Sequence, residues 1–263
     1  MTQRWTTFFA AAVLVAATAV VGSAQWPTAA QVRYIEPIGT LGQGTTPPDP
    51  LNHVFTYSII ETEAAPTNLL PSINKAMTPI LDDAGATLYS VWVPVRMPDS
   101  APFEGLTATQ LALMAAWPDQ DIQISALDAT LTALDGVSRV TTNILIPIYL
   151  AESLAVPTEA GFYVHREELY HPLDVNEAVR LSQEAWETWE STFGTRVTGL
   201  FREQSDSVEV AHLLRIVWYR SFDGWLDSRD GARDPEARRR FAARRLLQLE
   251  GSGVAIATDR AVQ

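Results

Sequence analysis

The chain of 263 residues contains no cysteine and only one lysine, Lys75. The lack of cysteine excludes disulfide bonds, thiolate metal sites, a cysteine nucleophile and a lipid anchor on cysteine. A net charge of −12 argues against a nucleic-acid partner, because binding to a phosphate backbone needs clustered basic side chains. Gly-rich phosphate loops, nucleophile elbows and His-Glu-x-x-His motifs are also missing, which counts against nucleotide-binding proteins, hydrolases and metalloproteases. We therefore expect no cofactor.

Long apolar runs are scarce, and the longest, Phe8–Val21, lies near the N-terminus. It follows Arg4 and precedes the small residues Gly22-Ser23-Ala24. This order is typical of a secretory signal peptide, and the run is shorter than the roughly 20 apolar residues of a membrane span. An uncleaved N-terminal anchor is the alternative. We predict a signal peptide over residues 1–24, a secreted or periplasmic protein, and no stable membrane span after cleavage.

The remaining chain divides into a linker and two similar halves. Residues 25–50 are a predicted linker, because glycine and proline interrupt every element there. Residues 51–152 and 160–263 each show the order strand, helix, strand, strand, helix, strand. That order is typical of a ferredoxin-like α+β unit, whose open sheet face needs a partner. The sequence therefore predicts tandem ferredoxin-like repeats that form a unit similar to a dimeric α/β-barrel.

Local signals support this division. Asp121, the capping box Asp174–Glu177 and the pair Asp234-Pro235 are predicted helix starts, and Gly136 and Gly194 are predicted helix ends. Pro79 is expected to kink or shorten the first helix. The two halves also agree in register. Phe55 matches Tyr163, Asn68 matches Asn176 and Thr87 matches Thr195, each 108 residues apart, and Trp117 matches Trp218, 101 residues apart.

The second half resembles a known family. The resemblance rests on Phe162–Leu169, on the helix with Trp186 and Trp189, and on Ile216–Arg229. These segments are similar to the NIPSNAP family and, more broadly, to the dimeric α/β-barrel superfamily. The resemblance implies two sheets packed face to face into a barrel, here from one chain, with homodimerisation as a further possibility. It also implies that relatives include monooxygenases which oxidise aromatic polyketides without a cofactor, while many NIPSNAP-like proteins have no established activity.

Candidate site residues cluster on one strand of the second half. The period of two places Tyr163, His165, Glu167 and His171 on one face of the strand that starts at Phe162. His165 and Glu167 are a candidate acid/base pair, with His212 from the neighbouring strand as a third catalytic group. Tyr163, His171 and Trp218 are candidate ligand-binding residues. The alternative is that all of these are hydrogen-bonded polar groups at sheet ends or in an interface.

Two other interpretations of these residues are weaker. His165, Glu167, His171 and His212 could ligate zinc or iron, but their spacing matches no strong signature, so no metal site is predicted. The arginines between 229 and 245 point in several directions on a helix and are expected to be solvated or ion-paired, with anionic lipid or nucleic acid as the minor alternative. The favoured function is binding of a small hydrophobic molecule in a barrel cavity. The alternative is a cofactor-independent monooxygenase-like enzyme acting on an aromatic substrate.

Overall fold

The computed structural model describes residues 52–118, 122, 124–151, 160–205, 207–250 and 255–260. The predicted signal peptide, the predicted linker and the predicted cap Asp121 lie outside this part of the chain. Those expectations stay predictions. Searching the described residues finds no helix that is both long enough and apolar enough to cross a membrane.

Eight strands and five helices make up the described chain. The strands are β1 Val54–Thr62, β2 Thr87–Pro94, β3 Gln110–Trp117, β4 Val137–Leu150, β5 Phe162–Tyr170, β6 Arg196–Glu203, β7 Ala211–Tyr219 and β8 Ala255–Arg260. The helices are α1 Leu70–Ala84, α2 Ile124–Thr132, α3 Val175–Phe193, α4 Phe222–Asp227 and α5 Pro235–Arg245. Helices and antiparallel strands occur together, so the predicted α+β class is confirmed.

The strands form a closed barrel in the order β1-β3-β2-β8-β5-β7-β6-β4. The first four strands are therefore arranged β4-β1-β3-β2, and the last four are arranged β8-β5-β7-β6. Two antiparallel seams close the barrel. Trp92–Pro94 of β2 pair with β8, and the end of β4 from Leu145 to Leu150 pairs with β6. A closed sheet has no free edge on which another strand could add.

Strand alternation divides the buried residues into one inner and two outer clusters. Phe55 and Tyr57 of β1 point into the barrel, whereas Ile60 packs under α1 and α2 with Ile73 and Leu131. On the other side of the molecule, α3 and α5 cover the outer face of β5, β6 and β7 through an aromatic-rich cluster. Because successive side chains of a strand point to opposite faces, one strand serves both the barrel interior and an outer core.

Helix α3 begins differently from the sequence prediction. Asp174 makes no side-chain capping bond, because a 3-10 turn over Pro172–Asp174 precedes the helix and His171 caps that turn. Glu177 pairs with Arg180 instead of reaching back to the helix start. The predicted capping box is therefore wrong. The predicted end is confirmed, since Gly194 follows the helix with φ of 59°. In α1, Pro79 lies inside a helix that continues to Ala84, so it does not shorten the helix.

The predicted match of Trp117 with Trp218 is wrong by one residue. Val54 pairs with Trp117, whereas Phe162 pairs with Tyr219 and Tyr163 pairs with Trp218. A shift of one residue moves a strand side chain to the other face. Trp117 therefore packs outward under the helices, and its Nε1 donates to Thr56 Oγ1 at 2.9 Å. Trp218 packs against the inner cluster.

Candidate functional site

The barrel interior is apolar and rich in aromatic rings. Phe55 contacts Tyr89 and Phe201 edge-on, with ring centroids 5.4 and 5.1 Å apart. Trp92 and Tyr163 meet in the same way at 6.1 Å. Edge-to-face contacts of this kind add to the free energy gained by burying the rings. These side chains come from both halves of the chain, so the interior is a joint core.

His165 is the buried histidine of this interior, with 1% of its surface exposed. Its Nδ1 lies 2.7 Å from the Tyr57 hydroxyl, and its Nε2 lies 3.3 Å from Thr258 Oγ1. The ring also meets Trp92 edge-on, with centroids 4.5 Å apart. The three polar side chains belong to β1, β5 and β8, and the barrel closure brings them together. We refer to Tyr57, His165 and Thr258 as the interior triad.

Burial keeps the interior triad uncharged. It lowers the pKa of His165 to about 3, so the imidazole is neutral at pH 7. Burial also raises the pKa of the Tyr57 phenol, and the negative charge of Glu167 raises it further. A neutral imidazole has one donor and one acceptor nitrogen, so one hydroxyl donates to the ring and the other accepts from it. The triad can therefore pass a proton along its hydrogen bonds without holding a net charge.

The predicted catalytic residues do not converge. His165 lies inside the barrel, whereas Glu167 is exposed two residues further along β5. His212 pairs across the sheet with Leu169, four residues from His165, which corresponds to about 13 Å along the strand. The His212 side chain is 44% exposed, and its Nδ1 lies 3.7 Å from the Glu203 carboxylate. The three groups thus form a line from the interior to the rim.

The predicted ligand-binding residues also separate. Tyr163 is buried inside the barrel opposite Trp218 on β7. Trp218 is half-buried, and its Nε1 donates to the carbonyl of Ala160 at 3.2 Å. His171 is exposed outside the barrel, where its Nδ1 accepts from the backbone N–H of Leu173. The geometry of His171 is that of a turn cap, so it takes no part in the interior site.

Sequence reasoning missed two partners of His165 that lie in other strands. Tyr57 and Thr258 are distant from it in sequence and meet it only in the closed barrel. One signal could have found Tyr57, because it lies 108 residues before His165. The same spacing relates Phe55 to Tyr163. The register match therefore already marked Tyr57 and His165 as equivalent positions of the two halves. Thr258 carried no comparable signal.

No metal centre is formed by the described side chains, where no group of three or more histidine, aspartate or glutamate residues is placed to hold an ion. The four residues considered as ligands from the sequence are spread over the interior, the rim and the outside of the barrel. The polar chemistry that this part of the chain offers at the interior is therefore that of a hydroxyl, an imidazole and a second hydroxyl.

Comparison with solved structures identifies the fold class. An anthrone oxidase-like protein is similar over 80% of this chain and 92% of its own, with a TM-score of 0.54 and 13% identity. A dye-decolorizing protein from V. cholerae covers 78% of this chain and 93% of its own, with a TM-score of 0.47 and 14% identity. A ferredoxin fold protein from Listeria monocytogenes, related to antibiotic biosynthesis monooxygenases, covers 80% and 96%, with a TM-score of 0.41 and 9% identity.

The chain therefore has the ferredoxin-like, dimeric α/β-barrel fold, and this part of the sequence prediction is confirmed. No family model and no curated protein matches it. The resemblance to the NIPSNAP family accordingly stays a prediction. At such low identity the similarity concerns the fold alone, and function has to be argued from the residues of the site.

Proposed function

We propose that the protein binds a small aromatic molecule at the barrel interior, with a polar group of that molecule hydrogen-bonded to the interior triad. The observation that carries this proposal is the Tyr57–His165 hydrogen bond of 2.7 Å inside an aromatic core. Binding sites for small molecules are mostly apolar and contain a few convergent polar groups. Placing an imidazole and a phenol in such an interior costs desolvation energy, which favours a functional role over simple packing.

The rim of the barrel supports an entry route. Tyr57 and Leu214 belong to the inner cluster and keep slight exposure, and Glu167 lies exposed on the same face of β5. The charge of Glu167 acts on the Tyr57 phenol, so the two side chains are close enough to interact electrostatically. A ligand that enters there would meet the triad first and the rings of the core next.

Three further predictions belong to this proposal. The chain is a duplication, supported by the matching strand orders β4-β1-β3-β2 and β8-β5-β7-β6. Its second half is NIPSNAP-like, supported by the sequence segments named above. It is exported, supported by the apolar run Phe8–Val21 and the small residues after it. Intact-mass measurement of the protein from its native host tests export directly, since cleavage after Ala24 leaves a chain that begins at Gln25.

A cofactor-independent monooxygenase-like enzyme acting on an aromatic substrate is the second candidate function. It is favoured by the triad itself, because a substrate proton could pass through the Tyr57 or Thr258 hydroxyl to the ring nitrogen of His165 that the hydroxyl contacts. In such a reaction O2 converts a ring CH2 group to a carbonyl. One of its oxygen atoms enters the product, and the other is released in water. The lowered pKa of His165 makes it a weak base, and this is why we favour binding.

Anthrone and anthraquinone are suitable probes, because both are compact tricyclic ketones and only anthrone can be oxidised. Ligand binding is measured by tryptophan fluorescence, to which Trp92 contributes beside His165. We expect Tyr57→Phe and His165→Gln to weaken binding by about five- to tenfold, the effect of losing one hydrogen bond. Tyr149→Phe, on the outer side of the barrel, is the matched control and should bind normally.

The two candidate functions give different results in the same experiment. A monooxygenase-like enzyme consumes one O2 for each anthrone and produces anthraquinone, and His165→Gln slows this reaction. A binding protein holds both probes and consumes no oxygen above the rate of anthrone alone. Equal affinity of the wild type and both triad variants for anthraquinone would contradict a site at the triad.

A further inference from the structure

A small cavity lies on the other face of β5, between the sheet and the helices α3 and α5. Its volume is about 70 Å³. Trp189 of α3 and Phe241 of α5 are among its apolar walls, and five arginines also line it: Arg166, Arg215, Arg229, Arg244 and Arg245. The Arg166 and Glu168 side chains alternate along β5 with that of His165. The cavity is therefore separated from the barrel interior by the sheet.

Positive charge is in excess around this cavity. Arg166 of β5 and Arg215 of β7 are direct cross-strand partners, an arrangement that destabilises a sheet when the charges are alike. Glu168 is the one described carboxylate within ion-pair distance of these arginines. Its Oε1 lies 2.8 Å from Arg215 Nη2 and 3.3 Å from Arg244 Nη2. A single carboxylate cannot neutralise five guanidinium groups.

Several guanidinium donors have no partner among the described residues. The Arg215 and Arg244 side chains are 9% and 8% exposed. The Nε atom of each is buried without a hydrogen bond. The Arg166 side chain makes no hydrogen bond to these residues, and the charge of Glu168 acts on it from a distance. Leaving a buried charged donor unpaired is costly, so such donors are usually satisfied by a partner.

The electrostatics of the cluster agree with this geometry. Burial and, after it, the neighbouring charge of Arg215 lower the pKa of Arg166 to about 10. Burial and Arg215 likewise lower the pKa of Arg244. A guanidinium group stays protonated in proteins, so both side chains are cationic at neutral pH. A bound anion would relieve their mutual repulsion.

We propose that this cavity binds a compact oxyanion of the phosphate or sulfate class. Planar guanidinium groups match such anions by paired N–H donors, and the volume accommodates one tetrahedral anion but no attached ring system. The apolar aromatic walls lower the local dielectric and thereby strengthen the charge interactions. The site is independent of the proposed function, because its residues lie on the opposite face of β5 from the interior triad.

Thermal unfolding of the full chain in sodium phosphate or sodium sulfate tests the proposal, with sodium chloride of equal ionic strength as reference. We expect phosphate to raise the Tm of the wild type in a saturable way, as a ligand of the folded state does. Arg166→Gln should weaken phosphate binding at least about tenfold. The repulsion from Arg215 outweighs the attraction of Glu168 at Arg166, so the same variant should show a higher Tm than the wild type in chloride.

Matched controls separate the site from general ionic effects. Arg239 lies on α5, is exposed and pairs with Glu236, so Arg239→Gln should respond to phosphate like the wild type. Phenyl phosphate distinguishes a free anion from the headgroup of an organic ligand, and we expect it not to raise the Tm. An equal phosphate response in wild type and Arg166→Gln, or no response at all, would overturn the proposal, and so would a response to phenyl phosphate alone.

Discussion

The imidazole of His165 is held neutral by an interior that offers it only hydroxyl groups. Its pKa is lowered to about 3 by burial, against 6.5 for an ordinary histidine. Below about pH 6.5 the unfolded chain therefore binds a proton that the folded chain refuses. Stability from this residue is present above pH 6.5 and is lost as the pH falls toward about 3. The same burial that shapes the site thus makes the fold sensitive to acid.

We predict that this residue alone lowers the free energy of unfolding by about 2 kcal/mol between pH 7 and about pH 5. Urea unfolding at the two pH values measures the change. His165→Gln should be less stable at pH 7 but should lack that part of the pH dependence. His212→Gln, which changes a partly exposed histidine at the rim, serves as control. An unchanged pH dependence in His165→Gln would show that the imidazole takes up its proton in the folded state.

At the scale of single residues, the sequence predicted which face of a strand a side chain lies on better than it predicted which residues that side chain contacts. The period of two placed Tyr163 and His165 on one face of β5, and the structure shows that this is the inner face. It could not show that Glu167 reaches the rim, because the height of a residue in a barrel depends on strand stagger. It also could not show the burial of Arg244, which was expected to be solvated or ion-paired. That burial follows from how α5 packs on the sheet.

The turn before β5 leaves no room for a single added carbon. Gly161 has φ of 153°, and a Cβ there would lie 2.4 Å from Trp218 Nε1 and 2.7 Å from the carbonyl of Tyr219. We predict that Gly161→Ala destabilises the protein by about 2–4 kcal/mol, from backbone strain together with overpacking. Urea unfolding measures this value. Gly224→Ala is the control, because its Cβ would meet nothing closer than 3.9 Å and alanine favours the helix.

Helix α5 depends on its N-cap residue, Asp234, both for its start and for its position against α3. Asp234 Oδ1 accepts from the Ala237 N–H at 3.0 Å, and Oδ2 accepts from the Thr188 hydroxyl of α3 at 2.7 Å. The sequence predicted the cap correctly from Asp234-Pro235 but carried no sign of the bond to α3. A helix cap is a local feature that the sequence can predict, whereas a contact between two helices depends on how both helices pack.

We predict that Asp234→Ala costs about 1–3 kcal/mol in the free energy of unfolding, because it removes the cap and a buried bond together. Asp234→Asn keeps a cap oxygen and should recover most of the loss. Thermal or urea unfolding provides the comparison. Since α5 carries Arg244, Asp234→Ala should also weaken the phosphate response. Full stability of the alanine variant would mean that neither bond contributes.

At the scale of the whole molecule, the two halves share one interior. Phe55 and Trp92 from the first half pack against Phe201 and Tyr163 from the second. Repetition of element order predicted this arrangement, because each sheet had one uncovered apolar face. The register match failed by one residue at the tryptophans and also at Thr87, whose pairing partner makes it equivalent to Arg196 and not to Thr195. The order of strands and helices in the sequence was thus enough to predict the fold, whereas the positions of the side chains required the strand pairing of the structure.

A shared interior should make unfolding a single transition. Separating the halves would expose the inner aromatic faces of both and break the seams β2–β8 and β4–β6, so neither half is expected to persist alone. We predict coincident urea transitions by far-ultraviolet circular dichroism and by tryptophan fluorescence. In a Trp117→Phe variant, a larger share of the fluorescence comes from tryptophans of the second half. Fluorescence and circular dichroism of that variant should still report the same transition. Two separated transitions would instead show that each half has a core sufficient for its own stability, and that the barrel interior contributes little to either.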